Sequence, residues 1–188
     1  MPPSLSNVLD FEKPVAELRR KYNLLPEKFT LLILYGGKGF IDISNMIKIL
    51  FDYKKPLQII AIAGKNKNLE EKLNHLSIPA HISLAVVGWT DKIDEYMRVA
   101  DVIVSKPGGL TTTECLVLGK PLIAIFPIPG QEEYNARFIL ENNSGVVAQT
   151  TSDLIYYLDK FAIWSRQLAA NKKQPMAAQI ILNKLKNF

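Results

Sequence analysis

The chain of 188 residues has a single cysteine, Cys115, and two histidines, His75 and His81. One cysteine closes no internal disulfide, which excludes a disulfide-stapled secreted module and favours a reducing compartment. Two histidines and one cysteine make no zinc set. No apolar run approaches the ~20 residues that a membrane span needs. The start, Met1-Pro2-Pro3-Ser4, lacks the basic region and apolar block of a signal peptide. No Lys/Arg block interleaved with aromatics argues for nucleic acid. The chain also lacks a G-x-S-x-G nucleophile elbow and a G-x-x-x-x-G-K-[ST] phosphate loop.

What is present suits one compact domain. Hydrophobic residues make up 48% of the chain, enough for a sizeable core, and the length leaves no room for two full domains. The formal net charge of +5 is modest. It serves solubility, and it also suits phosphates or an anionic membrane surface.

Residues 1–13 read as a linker or terminal arm, and Pro14 opens a short helix to about Tyr22. Apolar runs at 31–35, 57–63, 82–87, 102–104, 122–126 and 146–147 read as strands, most of them closed by glycine or proline. Helical spacing falls between them, at about 41–53, 68–76, 91–99, 111–118 and 132–141, with Asp91 placed to cap the third of these. Two further helices are expected near 152–169 and, after Pro175, near 176–186. Alternation of this kind, with strands apolar throughout, predicts a Rossmann-like, doubly wound α/β domain on a six-stranded parallel sheet.

Ligands of such sheets bind beyond the carboxyl ends of the strands, which selects four loops. The strongest is Ser105-Lys106-Pro107-Gly108-Gly109-Leu110-Thr111-Thr112-Thr113-Glu114. Its glycines admit a ligand close to the backbone, and the helix that follows offers free N–H groups and a positive dipole end to a diphosphate. The threonine hydroxyls can add hydrogen bonds, and Glu114, one turn in, can accept both hydroxyls of a ribose. Thr111-x-x-Glu114 fits a ligand-free capping box equally well. In the second loop, Gly36-Gly37-Lys38-Gly39, Asp42 replaces the third glycine of a dinucleotide fingerprint, and the next strand ends without an acid, which disfavours nicotinamide and flavin cofactors. That loop is either a cleft-facing glycine turn or a plain tight turn. Pro127-Ile128-Pro129-Gly130 is stiff and presents Gln131, Glu132 and Asn135, whose groups suit sugar hydroxyls or helix capping. In the fourth loop, Gly88-Trp89-Thr90, Trp89 either flanks a base or is a half-buried structural residue.

Other features read as structural. Cys115 is a small core residue. Asp91, Asp94 and Glu95 are explained by capping and solvation. Lys172-Lys173, with Phe161 and Trp164, reads as a surface helix end beside core aromatics, with lipid contact as the alternative.

Gly88-Trp89-Thr90-Asp91-Lys92-Ile93, then Ser105-Lys106-Pro107-Gly108-Gly109-Leu110-Thr111 with Glu114, then Pro127-x-Pro129-Gly130-Gln131-Glu132-x-x-Asn135 occur in that order. Together they resemble the C-terminal domain of the monogalactosyldiacylglycerol synthase and processive diacylglycerol glucosyltransferase group of glycosyltransferase family 28, over about residues 14–186. The resemblance implies the C-terminal half of a GT-B fold, with residues 14–188 as a UDP-sugar donor domain. It implies Gly108, Gly109, Leu110 and Thr111 at the diphosphate and Glu114 at the ribose. It places Trp89 and Thr90 at the uracil, and Gln131, Glu132 and Asn135 at the donor sugar. Gly37 and Gly39 would line the cleft, with Lys38 standing where a small residue is expected. The donor would be UDP-glucose or UDP-galactose, with no metal or other cofactor. No catalytic residue is expected in this chain: the histidine base and acceptor pocket belong to an N-terminal domain or separate subunit, and neither His75 nor His81 matches. The resemblance further implies a cytoplasmic enzyme peripheral to the membrane that transfers a hexose to a diacylglycerol-type glycerolipid. The alternatives are the C-terminal subunit of a split UDP-GlcNAc transferase with a membrane-bound partner, and a non-catalytic nucleotide-binding module.

Overall fold

The structure is a computed structural model that describes residues 13–34 and 43–170. The terminal arm up to residue 12, the loop Gly36–Gly39, Lys172-Lys173 and the helix expected at 176–186 lie outside the described residues, as does the side chain of Trp164.

Helix α1 spans Val15–Lys21, with Pro14 as its N-cap residue. Then β1 (Phe29–Leu34), α2 (Ile43–Leu50), β2 (Leu57–Gly64), α3 (Lys67–Asn74), β3 (Ile82–Gly88), α4 (Ile93–Val99) and β4 (Val102–Ser105) alternate. They are followed by α5 (Gly109–Val117), β5 (Leu122–Ile125), α6 (Gln131–Glu141), β6 (Gly145–Ala148) and α7 (Thr151–Ala170). All strand pairs are parallel, and the order is β3-β2-β1-β4-β5-β6. The expected six-stranded doubly wound sheet is therefore present.

Strand periodicity divides the core in two. Leu31 and Ile33 face one layer with Ile47, Leu50, Leu154 and Leu158. Leu32 and Leu34 face the other with Met97, Ile103, Cys115 and Ile139. Both faces are covered, so β1 is buried at all six positions, as its unbroken apolar run requires. Burying each such leucine contributes roughly 1.5–3 kcal/mol.

Polar side chains pin the edge of the sheet where the strands begin. Asp101 Oδ2 accepts from Thr30 N at 2.7 Å and from Arg19 Nη2 at 2.9 Å, tying α1 to β1. Gln58 Oε1 accepts from Leu25 N at 2.8 Å, while its Nε2 donates to Leu25 O at 3.0 Å.

Two expectations for the 91–99 helix are corrected. Asp91 does not cap it: the N-cap residue is Lys92, without a side-chain cap bond. Instead Thr90 Oγ1 accepts from Lys92 N at 3.0 Å. Nor is Glu95 solvated. It is 6% exposed and accepts from Lys21 Nζ at 2.5 Å and Tyr22 OH at 2.6 Å. These partners come from α1, so their charge compensation is invisible in the local sequence. They hold the Glu95 carboxyl below its usual range despite the opposing effect of burial.

Candidate functional site

In this strand order the chain reverses direction between β1 and β4, and a doubly wound sheet opens its ligand crevice there. The loop leaving β4 carries Gly108 and Gly109. Gly108 is the N-cap residue of α5 (φ −65°, ψ 148°), and no side chain caps the first turn. The Thr111–Glu114 capping box is thereby excluded, because Thr111 already lies inside the helix. The first amides of α5, at Gly109, Leu110 and Thr111, have no intrahelical acceptor and stand at the positive end of the helix dipole.

Among the described residues nothing requires glycine at these two positions. A Cβ on Gly108 would meet no atom within 4 Å, and one on Gly109 would touch only Asn135 Nδ2 at 4.0 Å. Neither has a positive φ. Close approach to the backbone is therefore open at both positions, as a ligand there would require.

The three threonines differ in use. Thr113 Oγ1 donates to Gly109 O at 2.9 Å. Thr112 is 4% exposed, with its hydroxyl buried and unpaired. Thr111 is partly exposed in the first turn, so of the three hydroxyls it is the one placed to meet a ligand. Leu110 is 70% exposed, so its side chain is not part of the core.

Glu114 sits one turn further along, partly buried. Burial raises its pKa, and the negative charge of Asp94 in the first turn of α4 raises it further. The start of α4 thus lies near enough to α5 for its charge to act on Glu114. Sequence reasoning missed this neighbour, since no spacing rule links residues 94 and 114. Trp89 is 65% exposed, so it is not the half-buried structural residue of the alternative reading, and the Lys65 ammonium lies 6.0 Å from its ring centroid.

The loop after β5 is braced against the first one. Asn135 Nδ2 donates to Pro107 O at 2.8 Å, so α6 holds the backbone that leads into α5. Glu132 Oε2 accepts from Ile128 N at 2.9 Å and Glu133 Oε2 from Gly130 N at 3.1 Å. Gly130 needs to be glycine, with φ 102°. Gln131 is exposed at the first position of α6. Thus Asn135 and Glu132 already shape the loops, whereas Gln131 projects from them. Gly37 and Gly39 fall outside the described residues.

Both histidines serve the fold. His75 is the C-cap residue of α3, its Nδ1 2.7 Å from Glu71 O, and His81 Nε2 is 2.8 Å from Tyr53 O. Cys115 is buried, as expected, and burial pushes its thiol up to about 12.

Fold and site together define a doubly wound α/β domain with an uncapped, glycine-led helix N-terminus at its switch point. Residues 30–187 match the glycosyltransferase family 28 C-terminal domain, and the chain belongs to that family. It is 35% identical over 144 residues to the processive diacylglycerol beta-glucosyltransferase of Bacillus subtilis (strain 168), a match covering 76% of this chain and 37% of that protein. The chain thus spans about two fifths of the length of the curated relatives it matches. The crystal structure of Anabaena Alr3699/HepE in complex with UDP-glucose is similar, with a TM-score of 0.62 at 15% identity over 93% of this chain and 52% of that one. So is Acinetobacter baumannii MurG, with a TM-score of 0.59 at 19% identity over 94% of this chain and 54% of that one. The shared architecture is the Rossmann-like domain of GT-B glycosyltransferases.

Proposed function

We propose that residues 14–188 form the donor-binding domain of a UDP-hexose-dependent glycosyltransferase that transfers a hexose to a diacylglycerol-type membrane lipid. The observation that carries this reading is the uncapped start of α5, whose two glycines the fold itself does not need. The amides of Gly109, Leu110 and Thr111, with the Thr111 hydroxyl, hold the diphosphate. Glu114 accepts from the ribose hydroxyls. Trp89 and Thr90 border the uracil. Gln131 meets the sugar, while Glu132 and Asn135 hold their loops in place for it. The helix dipole and amides favour the leaving UDP as its charge grows, a contribution made without reorganisation. The hydroxyl-activating base and the acceptor pocket come from another domain or subunit. Glucose is favoured over galactose by the name of the B. subtilis relative and by the ligand of the Anabaena structure. The complete enzyme works at the cytoplasmic face of a membrane. Among the described residues no helix is long and apolar enough to cross one.

The test is a titration of the chain with UDP in a Trp164→Phe background, following Trp89 fluorescence. Saturation at or below millimolar UDP is expected, and a flat trace from folded protein rejects the reading. Gly109→Ala separates ligand from fold. The added methyl has room, so stability should be unchanged or higher by up to ~1 kcal/mol. UDP affinity should nevertheless fall about tenfold or more, because the methyl stands where the phosphate approaches. Equal UDP affinity in the two proteins would remove the diphosphate from this loop.

A further inference from the structure

At the opposite edge of the sheet, where β5 and β6 begin, a cavity of about 430 Å³ opens between the C-terminal end of α5, the turn after α6, and α7. Its size falls in the range of small-molecule sites. Pro121, Val146, Tyr157 and Phe161 give it apolar walls, and Lys120 and Lys160 also line it. None of its eleven lining residues is an aspartate or glutamate.

Lys120 is the unusual member. Its ammonium carries three donors, and the acceptor it meets among the described residues is Ala100 O at 2.8 Å. Asp101, whose charge favours the ammonium, is already held by Arg19 and by the Thr30 amide. Arg19 and Arg98 add further positive charge around it, and burial holds the ammonium down to about 8. Lys120 is partly exposed, and a desolvated cation with few acceptors is a place where an anion gains. Lys160, on the exposed face of α7, lies over the Tyr156 ring at 5.3 Å and adds a second cation at the rim.

We propose that this cavity is a second ligand site for a single-chain amphipathic anion of the fatty-acid type, its alkyl chain against Val146, Tyr157 and Phe161 and its carboxylate on Lys120 and Lys160. Charge selects the head: all charged groups of the lining are positive. Apolar walls select the tail. The site lies about 13 Å of strand away from the donor loops, since β5 is four residues long. It therefore does not rest on the donor reading.

Calorimetric titration of the chain with dodecanoate below its micellar range tests this, with dodecanol as the headless analogue and acetate as the tailless one. Saturable one-to-one binding of dodecanoate is expected, with dodecanol at least about tenfold weaker and acetate silent. Lys120→Met, which keeps the stem and removes the charge, should weaken dodecanoate about tenfold or more and leave UDP binding unchanged. Lys160→Glu, a change at an exposed rim position that spares the fold, should weaken it as well. Equal binding of dodecanoate and dodecanol, or dodecanoate binding indifferent to both substitutions, overturns the proposal. So does binding that emerges only after residues 171–188 are removed, which would assign the cavity to that segment.

Discussion

Replacing Glu114 by alanine is expected to weaken UDP binding about 100-fold while leaving the domain folded. The carboxylate is partly buried, and no hydrogen bond or ion pair to it is present among the described residues. A group desolvated in this way and set beside Asp94 is held unfavourably until a ligand donates to it. In the proposed site two ribose hydroxyls would provide those donors, and hydrogen bonds to a charged group are the stronger kind. The same arrangement sets a pH dependence. The pKa of Glu114 in the free domain is raised from its ordinary value by burial and by Asp94, while donation from ribose would favour the ionised form and lower it again. UDP affinity should therefore fall as pH is lowered through the raised pKa. Glu114→Gln should lose that component, and the difference between the two profiles removes the titration of UDP itself. The sign for stability is opposite. A carboxyl whose folded pKa is raised contributes stability below its unfolded pKa and loses it as pH rises through the folded one. Glu114→Gln should thus melt with the wild type in acid and above it at neutral pH. Parallel affinity profiles in the two proteins would take Glu114 out of the ribose site.

Gly145→Ala is expected to destabilise the domain by about 3 kcal/mol or more, a melting-temperature drop of roughly 10 °C for a chain of this size. Gly145 opens β6 opposite Leu122 of β5. A Cβ there would lie 2.0 Å from the Leu122 carbonyl oxygen and 2.8 Å from Ile139 Cγ2. The first obstacle is backbone, so relief requires β6 to move off β5 or α6 to move off the sheet. The Leu122 N to Ser144 O bond of 3.1 Å beside it would be disturbed as well. Gly108→Ala is the internal control, since open space surrounds that position. Thermal melts of the two variants should differ by most of the predicted drop, and matching melts would show that β6 is free to shift.

The two glycine sites illustrate how far sequence reading reached. Gly108 and Gly109 stood out at once because they follow a strand and precede a helix. Gly145 did not, although packing depends on it, because a strand start gives no sign of how closely its neighbour approaches. The threonine run read as three equivalent hydroxyls, yet helix phase buries Thr112 and turns Thr113 onto its own backbone. Asn135 read as a group suited to a sugar hydroxyl, and its bond to the Pro107 carbonyl across 28 residues of sequence could not be read from spacing. Glu95 read as solvated because its compensating partners lie more than seventy residues away.

Local chemistry written along the chain therefore determined the element order, the parallel sheet and the glycine loop before α5, within residues 30–187 that match the glycosyltransferase family 28 C-terminal domain. Strand runs and glycine stops depend on neighbours a few residues apart, and those neighbours are visible in one dimension. Only the tertiary structure decided which polar groups are spent on the fold and which remain for a ligand. Hydrogen-bond partners and burial are set across elements distant in sequence. The reversal between β1 and β4 set the amides of α5, Thr111 and Glu114 at the crevice, and the meeting of α5, α6 and α7 left Lys120 beside an apolar cavity at the other end of the sheet.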